Sequence, residues 1–375
     1  MNRSAPSASI HLESAVLATT ALIEELTIPP SIDSPNAGDF IEMVAVRNKI
    51  EATTVGTDAL GCTPEELLPV YRSQEFEPKR IFVARVAGRI VGRAILSWSI
   101  ADGTTSSWVS AEVLPEHRDR GIGSALFHHV EELALGSGRP VLQSEVMHTG
   151  TEGGERIASP TGIGDLPADD PGVRFLLRRG YRLEQTERLS FLDLPLDPGK
   201  LERRLQAAQR AAGPEYALVD WSGPTPPERR EDMMTLLTRM STDAPFAGLE
   251  MDEEPWTPER LANNDRAVTE GGGVRLTMTV EHLPTGRIVG FNELVLPKDR
   301  SRPVQQQDTL VLAEHRGHRL GMVMKLANLR ELATVEPRAQ LVVTFNAEEN
   351  RHMLSVNEAI GFRAAGKAGC WRKAD

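Results

Sequence analysis

Cysteine is scarce in this 375-residue chain: Cys62 and Cys370 are the only two, and they stand far apart. No C-x-x-C pair occurs, which excludes the zinc-knuckle and dithiol redox spacings and makes two reduced thiols the expectation. Basic residues are outnumbered, 42 Lys and Arg against 53 Asp and Glu, for a net charge of −11. That balance argues against a nucleic-acid partner, because phosphate-backbone binding needs clustered cations. Long apolar runs are missing as well. The stretch from Ile90 to Trp98 is short and interrupted by Arg93, whereas a membrane-spanning helix needs roughly 18 uncharged apolar residues. The N-terminus carries Arg3 but no compact apolar segment ending in a cleavage site. The expectation is a cytoplasmic protein without membrane, nucleic-acid or metal partners, of oligomeric state the sequence does not fix.

What is present is an ordinary globular composition, 40% hydrophobic and 25% charged, long enough for two domains at about 150 residues each. Those domains read as copies. Gly88-Arg89-Ile90-Val91-Gly92 recurs as Gly286-Arg287-Ile288-Val289-Gly290, displaced by 198 residues (286 − 88), and Val113 to Arg118 recurs as Val311 to Arg316 in the same register. Gly180-Tyr181 resembles Gly361-Phe362 at a displacement of only 181 (361 − 180). The first copy therefore holds extra residues, and the Gly-, Pro- and Asp-rich segment from Thr149 to Gly172 is the natural insertion loop. The division is an N-terminal extension over 1–38 with a helix near Ser14 to Leu26, a first copy over 39–196, a linker helix over 197–213 and a second copy over 214–375.

Each copy reads as two strands joined by a glycine turn, a third strand, a helix, a strand, a helix and a closing strand, a mixed α/β order. In the second copy, strands are expected over Val274 to Glu281, Arg287 to Leu296, Asp308 to Leu312 and Leu341 to Phe345. Leu320, Val323, Met324, Ala327 and Leu329 recur at helical spacing, and Glu348 to Ile360 is helical until Gly361.

The turns before the first long helix of each copy carry the chemistry. Arg118-Asp119-Arg120-Gly121-Ile122-Gly123 lies between strand and helix, so its amides face outward at the positive end of a helix dipole, an anion site suited to phosphate. No Gly-Lys-Ser/Thr follows, which excludes a Walker loop, and the third glycine of the dinucleotide fingerprint is absent. The second copy reads Arg316-Gly317-His318-Arg319-Leu320-Gly321.

Arg-x-x-Gly-x-Gly after a strand, with Gly-Phe or Gly-Tyr about fifty residues later, resembles the GNAT (GCN5-related N-acetyltransferase) superfamily, here in tandem and similar in plan to actinobacterial members of the mycothiol synthase type. No motif specific to mycothiol's sugar precursor accompanies it. The resemblance implies a fold whose fourth and fifth strands splay apart around acetyl-CoA as cosubstrate. It places pyrophosphate on the Arg316, Gly317, His318, Arg319, Leu320 and Gly321 turn, or on Arg118, Gly121 and Gly123 after Val113 in the first copy. It puts Leu310 and Leu312 on the bulged fourth strand beside the pantetheine, with Asn350 nearby. The tyrosine that family members often carry four residues before Gly-Phe is replaced by Asn357, which can hydrogen-bond a thiolate but cannot protonate it.

Direct transfer needs a base for the amine, and Asp308 and Glu293, each on an expected strand of the second copy, are the candidates. Phe246, Glu250, Asp252 and Trp256 form an acidic, aromatic stretch suited to an ammonium group. The reading is an N-acetyltransferase of a small-molecule primary amine, with the second copy catalytic. An acyl-CoA hydrolase and a CoA-sensing protein with degenerate catalysis stay open beside it.

Overall fold

Local signals set most of the helix starts. In the computed structural model, which describes residues 21–101, 103–148, 153–243, 245–250 and 255–374, Thr63 and Glu66 form a reciprocal capping box ahead of Pro64. Asp170, Asp197, Thr257 and Asn350 each accept an amide of the helix they precede. The first copy runs β1 (Leu22–Glu25), α1 (Gly38–Val55), α2 (Pro64–Arg72), β2 (Lys79–Val86), β3 (Arg89–Ser97), β4 (Ser106–Val113), α3 (Ile122–Gly136) and β5 (Val141–His148). It continues through the small hairpin β6 (Arg156–Ala158) and β7 (Asp165–Pro167) to α4 (Pro171–Arg178) and β8 (Arg182–Asp193). After α5 (Pro198–Ala212), the second copy follows with β9 (Tyr216–Ser222), α6 (Arg230–Asp243), α7 (Pro258–Glu270), β10 (Val274–His282), β11 (Arg287–Leu296) and β12 (Val304–Val311). It closes with α8 (Leu320–Val335), β13 (Leu341–Ala347), α9 (Arg351–Ile360) and β14 (Arg363–Lys373).

Three expectations change here. Leu22–Glu25 is a strand paired with β2 rather than the end of a helix, because Ile23 packs against the first core from a sheet edge; residues 14–20 lie outside the described residues. The insertion contains the β6–β7 hairpin. The helix between the copies is more than a linker: Leu201, Leu205, Ala208 and Ala212 bury one face against the core of the second copy, covering α8.

The repeated pentapeptide has a packing reason. Its first glycine takes a left-handed turn conformation, φ 80° at Gly88 and 66° at Gly286. Its second allows close approach: a Cβ on Gly92 would meet the Glu112 carbonyl at 2.7 Å, and one on Gly290 the Leu310 carbonyl at 2.9 Å.

A twelve-stranded sheet runs through both copies in the order β1-β2-β3-β4-β5-β14-β8-β13-β12-β11-β10-β9. The closing strands are exchanged. β14 pairs with β5 of the first copy, β8 pairs with β13 of the second, and β14 and β8 pair with each other. Helices α3 and α8 pack on one face, α1, α2, α6 and α7 on the other. In each copy the fourth and fifth strands pair only at their start, Ser106–Trp108 with Val141–Gln143 and Val304–Gln305 with Val342–Val343, then part.

Candidate active site

The two glycine turns share one geometry. Arg118 Nε donates to the Val113 carbonyl at 3.0 Å and Arg316 Nε to the Val311 carbonyl at 3.1 Å, so each arginine locks the end of its strand. Two residues of each turn are left-handed, Asp119 (58°) and Gly121 (80°) in the first, Gly317 (88°) and Arg319 (56°) in the second. The glycine has simply changed places. Neither α3 nor α8 has a side-chain cap, so their first-turn amides face outward.

The surroundings differ. In the first copy a cavity of about 410 Å³ opens beside the turn, lined by Asp119, Ser124, Arg174, Phe175, Arg178 and Arg179 among others. Arg179 is held by Glu131 at 2.5 Å and by the Ser124 carbonyl, while Arg174 and Arg178 are exposed on α4. Where β4 and β5 part, the buried hydroxyls of Ser107 and Ser144 have no hydrogen-bond partner. Uncapped amides, arginines and orphaned hydroxyls together fit a cofactor with phosphates at one end and a polar amide arm. In the second copy Arg316 is taken by Asp243 at 2.6 Å. His315 bonds the Tyr216 hydroxyl at 3.0 Å, and His282 and His318 stack around the same ring. Burial and the neighbouring histidines hold His315 below its ordinary pKa.

Asp308 and Glu293 do come together. The β11–β12 register passes from Asn292↔Thr309 to Leu294↔Gln306, so Gln307 and Asp308 bulge opposite Glu293. The β3–β4 ladder of the first copy is regular throughout. Glu293 is buried, and desolvation, opposed by Arg275 and reinforced by Asp308, pushes its carboxyl up to about 7. Asp308 keeps a solvent-exposed side, yet desolvation raises its carboxyl as well, against the pull of Arg275. That arginine bonds Asp265 at 2.7 Å and stands 3.7 Å from Glu293.

Other predicted residues have different work. Asn357 is buried and donates to Asn346 Oδ1 at 2.7 Å, its own Oδ1 unpartnered. Asn350 caps α9 through the Met353 amide at 3.2 Å, so its side chain is committed to the helix. Leu310 packs in a core cluster with Phe291. Leu312 lies beyond β12, its amide donating to the Val289 carbonyl at 3.0 Å, as that of Leu114 after Val113 does to Val91. Leu320 is buried in the core, and Gly123 and Gly321 lie in the first turn of their helices.

The described residues of the acidic, aromatic stretch already have partners. Glu250 is paired with Arg372, and its backbone exchanges hydrogen bonds with the Gln143 side chain at 2.8 and 3.1 Å, because this loop seals the seam between copies. Trp256 already carries Arg260 over its ring at 4.8 Å. Phe246 turns the loop, its carbonyl accepting from the Leu249 amide, and Asp252 lies outside the described residues. Sequence reasoning missed Glu51, Glu112, Glu145 and Glu187, which gather on the face that carries Asp308. For Glu112, Glu145 and Glu187 the one signal was a carboxylate inside a strand pattern, and Glu51, on the helix α1, carried none.

Residues 53–151 match the acetyltransferase (GNAT) family model. No curated protein matches the chain. Among solved structures it is similar to a tandem GNAT protein from the clavulanic acid biosynthesis pathway, 22% identical over 95% of this chain and 98% of that one, with a TM-score of 0.69. It is also similar to a GCN5-related N-acetyltransferase from Sphaerobacter thermophilus, 12% identical over 94% and 95% of the two chains, with a TM-score of 0.59. At such identities the likeness establishes the fold. No helix among the described residues is long and apolar enough to cross a membrane. The chain has the fold of tandem GNAT structures over nearly its whole length, and within it residues 53–151 match the acetyltransferase (GNAT) family.

Proposed function

We propose that this protein is an N-acetyltransferase that moves an acetyl group from acetyl-CoA to a primary amine of a small molecule within one ternary complex. The observation that carries the reading is the bulge at Gln307 and Asp308, present in the second copy and absent from the first. It holds an accessible carboxylate where β12 and β13 part. Bound acetyl-CoA would supply the activated acetyl group. Asp308 takes the proton from the incoming ammonium at a carboxylate oxygen, and Glu293 behind it, with its carboxyl near 7, is matched to holding that proton at neutral pH. Arg275 keeps the two carboxylates from repelling each other out of place. The amides of residues 317–321 serve the phosphates, as do those of 119–123 beside the arginine-lined cavity.

A second reading, a CoA-binding sensor, is favoured by Asn357: sealed in the core and bonded to Asn346, it offers no proton to a departing thiolate. CoA release from acetyl-CoA across a panel of amines distinguishes the readings. Amine-dependent release that falls by about a hundredfold in Asp308→Asn, the low end of what one positioned base contributes, supports transfer. Cofactor binding without release supports the sensor, and release without amine supports hydrolysis.

A further inference from the structure

The bulge that presents Asp308 interrupts the β11–β12 ladder, and buried side chains take up the backbone groups it strands. Between the pairs Asn292↔Thr309 and Leu294↔Gln306, Glu293 has no partner on β12, and its carbonyl is met by a side chain instead. Gln306 is that side chain: its Nε2 donates to the Glu293 carbonyl at 3.3 Å and to the Gln307 carbonyl at 3.2 Å, and it reaches the Thr309 hydroxyl at 3.4 Å. Gln306 also stands at the fork of the sheet. β12 and β13 last pair at Gln305 and Val343, and one residue further on the Thr344 hydroxyl donates to the Gln306 carbonyl at 3.3 Å.

A second amide reaches the bulge from the helix layer. Asn328 on α8 is 1% exposed, and its Nδ2 donates to Asn292 Oδ1 at 2.9 Å and lies 3.1 and 3.2 Å from the carbonyls of Leu276 and Asn292. Asn292, also buried, extends the chain by donating from Nδ2 to the Thr309 hydroxyl at 2.9 Å. Amides and hydroxyls buried between a helix and a sheet cost more to dehydrate than apolar side chains would. The fold does not need them. At the matching places of the first copy stand Ala94, Trp108, Ala111 and Val130 (292 − 198, 306 − 198, 309 − 198 and 328 − 198), with no amide or hydroxyl side chain among them. There the β3–β4 ladder runs without a bulge.

Alternation along the strands sets Asn292 and Thr309 on the face toward α8 and Glu293 and Asp308 on the other. The amides brace the bulge from behind, and the carboxylates stand in front of it. We propose that Gln306 and Asn328 are positioning residues, which hold the bulge in one shape and so fix Asp308 against Glu293. Their effect on the rate rests on the acetyl-transfer reading above; their effect on the carboxylates does not. The charged groups around the pair are Arg275 on β10 and Asp265 on α7, and neither belongs to the network.

Gln306→Leu keeps the reach of the side chain and removes its donor. The test is a carboxyl carbon-13 NMR titration of the full chain, with signals assigned through Asp308→Asn and Glu293→Gln. In Gln306→Leu the Glu293 midpoint should fall by about one pH unit, because the released bulge admits water to a group that burial had raised. The kcat for amine-dependent CoA release should drop about tenfold, with the KM for acetyl-CoA changed by less than about twofold. Asn292→Ala/Asn328→Val removes both members of one hydrogen bond together and leaves neither stranded; it should move the Glu293 midpoint the same way. A lowered melting temperature with an unmoved midpoint in both variants would reduce the network to packing and overturn the proposal, as would a loss of rate carried by KM alone. If Gln306→Leu fails to fold, the double variant is held to the same criteria. Should the wild-type chain release no CoA with any amine, the transfer reading fails, and the carboxyl titration alone decides whether the network positions the pair.

Discussion

Lys325 offers a test of the second core that reads one charge. It lies on α8, 1% exposed, where α5 covers the helix, and no carboxylate among the described residues pairs with it; its recorded interaction is with the Phe362 ring, 5.9 Å from the centroid. Burial alone lowers its ammonium from 10.5 to about 7. The unfolded chain therefore binds this proton up to pH 10.5 and the folded chain releases it above about 7. Between those values the unfolded state holds more protons, so stability rises with pH, and below about 7 the full penalty is present. At about 1.4 kcal/mol per pH unit, the ceiling of that penalty is about 5 kcal/mol. Lys325→Met keeps an unbranched stem and removes the charge, giving up a cation–π contact of about 1 kcal/mol. We expect the variant to be more stable at pH 7 by about 3–4 kcal/mol. Urea unfolding followed by tryptophan fluorescence from about pH 6 to pH 10 is the assay, with the gap between the two proteins closing by about 1.4 kcal/mol per unit above pH 7. A gap that stays constant with pH, or a variant less stable than wild type at pH 7, refutes the argument.

The remaining predictions concern the site and its frame. Acetyl transfer should fall as pH drops through about 7, because Glu293, raised to that value, and Asp308, raised in the same direction, become protonated and can no longer accept a proton; a rate that is flat down to pH 5 would remove both from the proton path. Arg319→Gly relieves a left-handed arginine (φ 56°) and should stabilise the second copy by about 1 kcal/mol with unchanged acetyl-CoA affinity, read by thermal unfolding and titration. Gly290→Ala drives a Cβ to 2.9 Å from the Leu310 carbonyl and 3.1 Å from Met324 Cε. It should lower stability by about 1–3 kcal/mol, and an unchanged melting temperature would mean that β11 and β12 can move apart freely.

Much of the local structure was legible because its causes are local. Gly286 needs a positive φ, and Leu320, Val323, Met324 and Ala327 recur at the helical period, so the turn and α8 follow from neighbours in sequence. β12 was less legible: it begins at Val304, four residues before the expected start at Asp308, because Gln305, Gln306 and Gln307 leave no clean alternation around the bulge. The end of the N-terminal extension was misread since a four-residue strand and a short helical stretch carry the same apolar content, and only β2 supplies the edge that Leu22–Glu25 completes.

By itself the sequence determined that one unit is built twice, that each copy carries a glycine turn before its first long helix, and that Asp308 and Glu293 each fall on a strand of the second copy. These are matters of spacing along the chain. Only the tertiary structure decided that β14 leaves its own copy to pair with β5, because alternating residues suit any strand of matching face and hydrogen bonding does not record which copy provides it. That exchange brings Glu145 and Glu187, 42 positions apart (187 − 145), onto either side of Cys370, and it turns Glu250 into a seam contact of Arg372. Charge in a sequence counts residues; whether those charges are paired, dehydrated or left facing a groove depends on which strands the fold sets side by side.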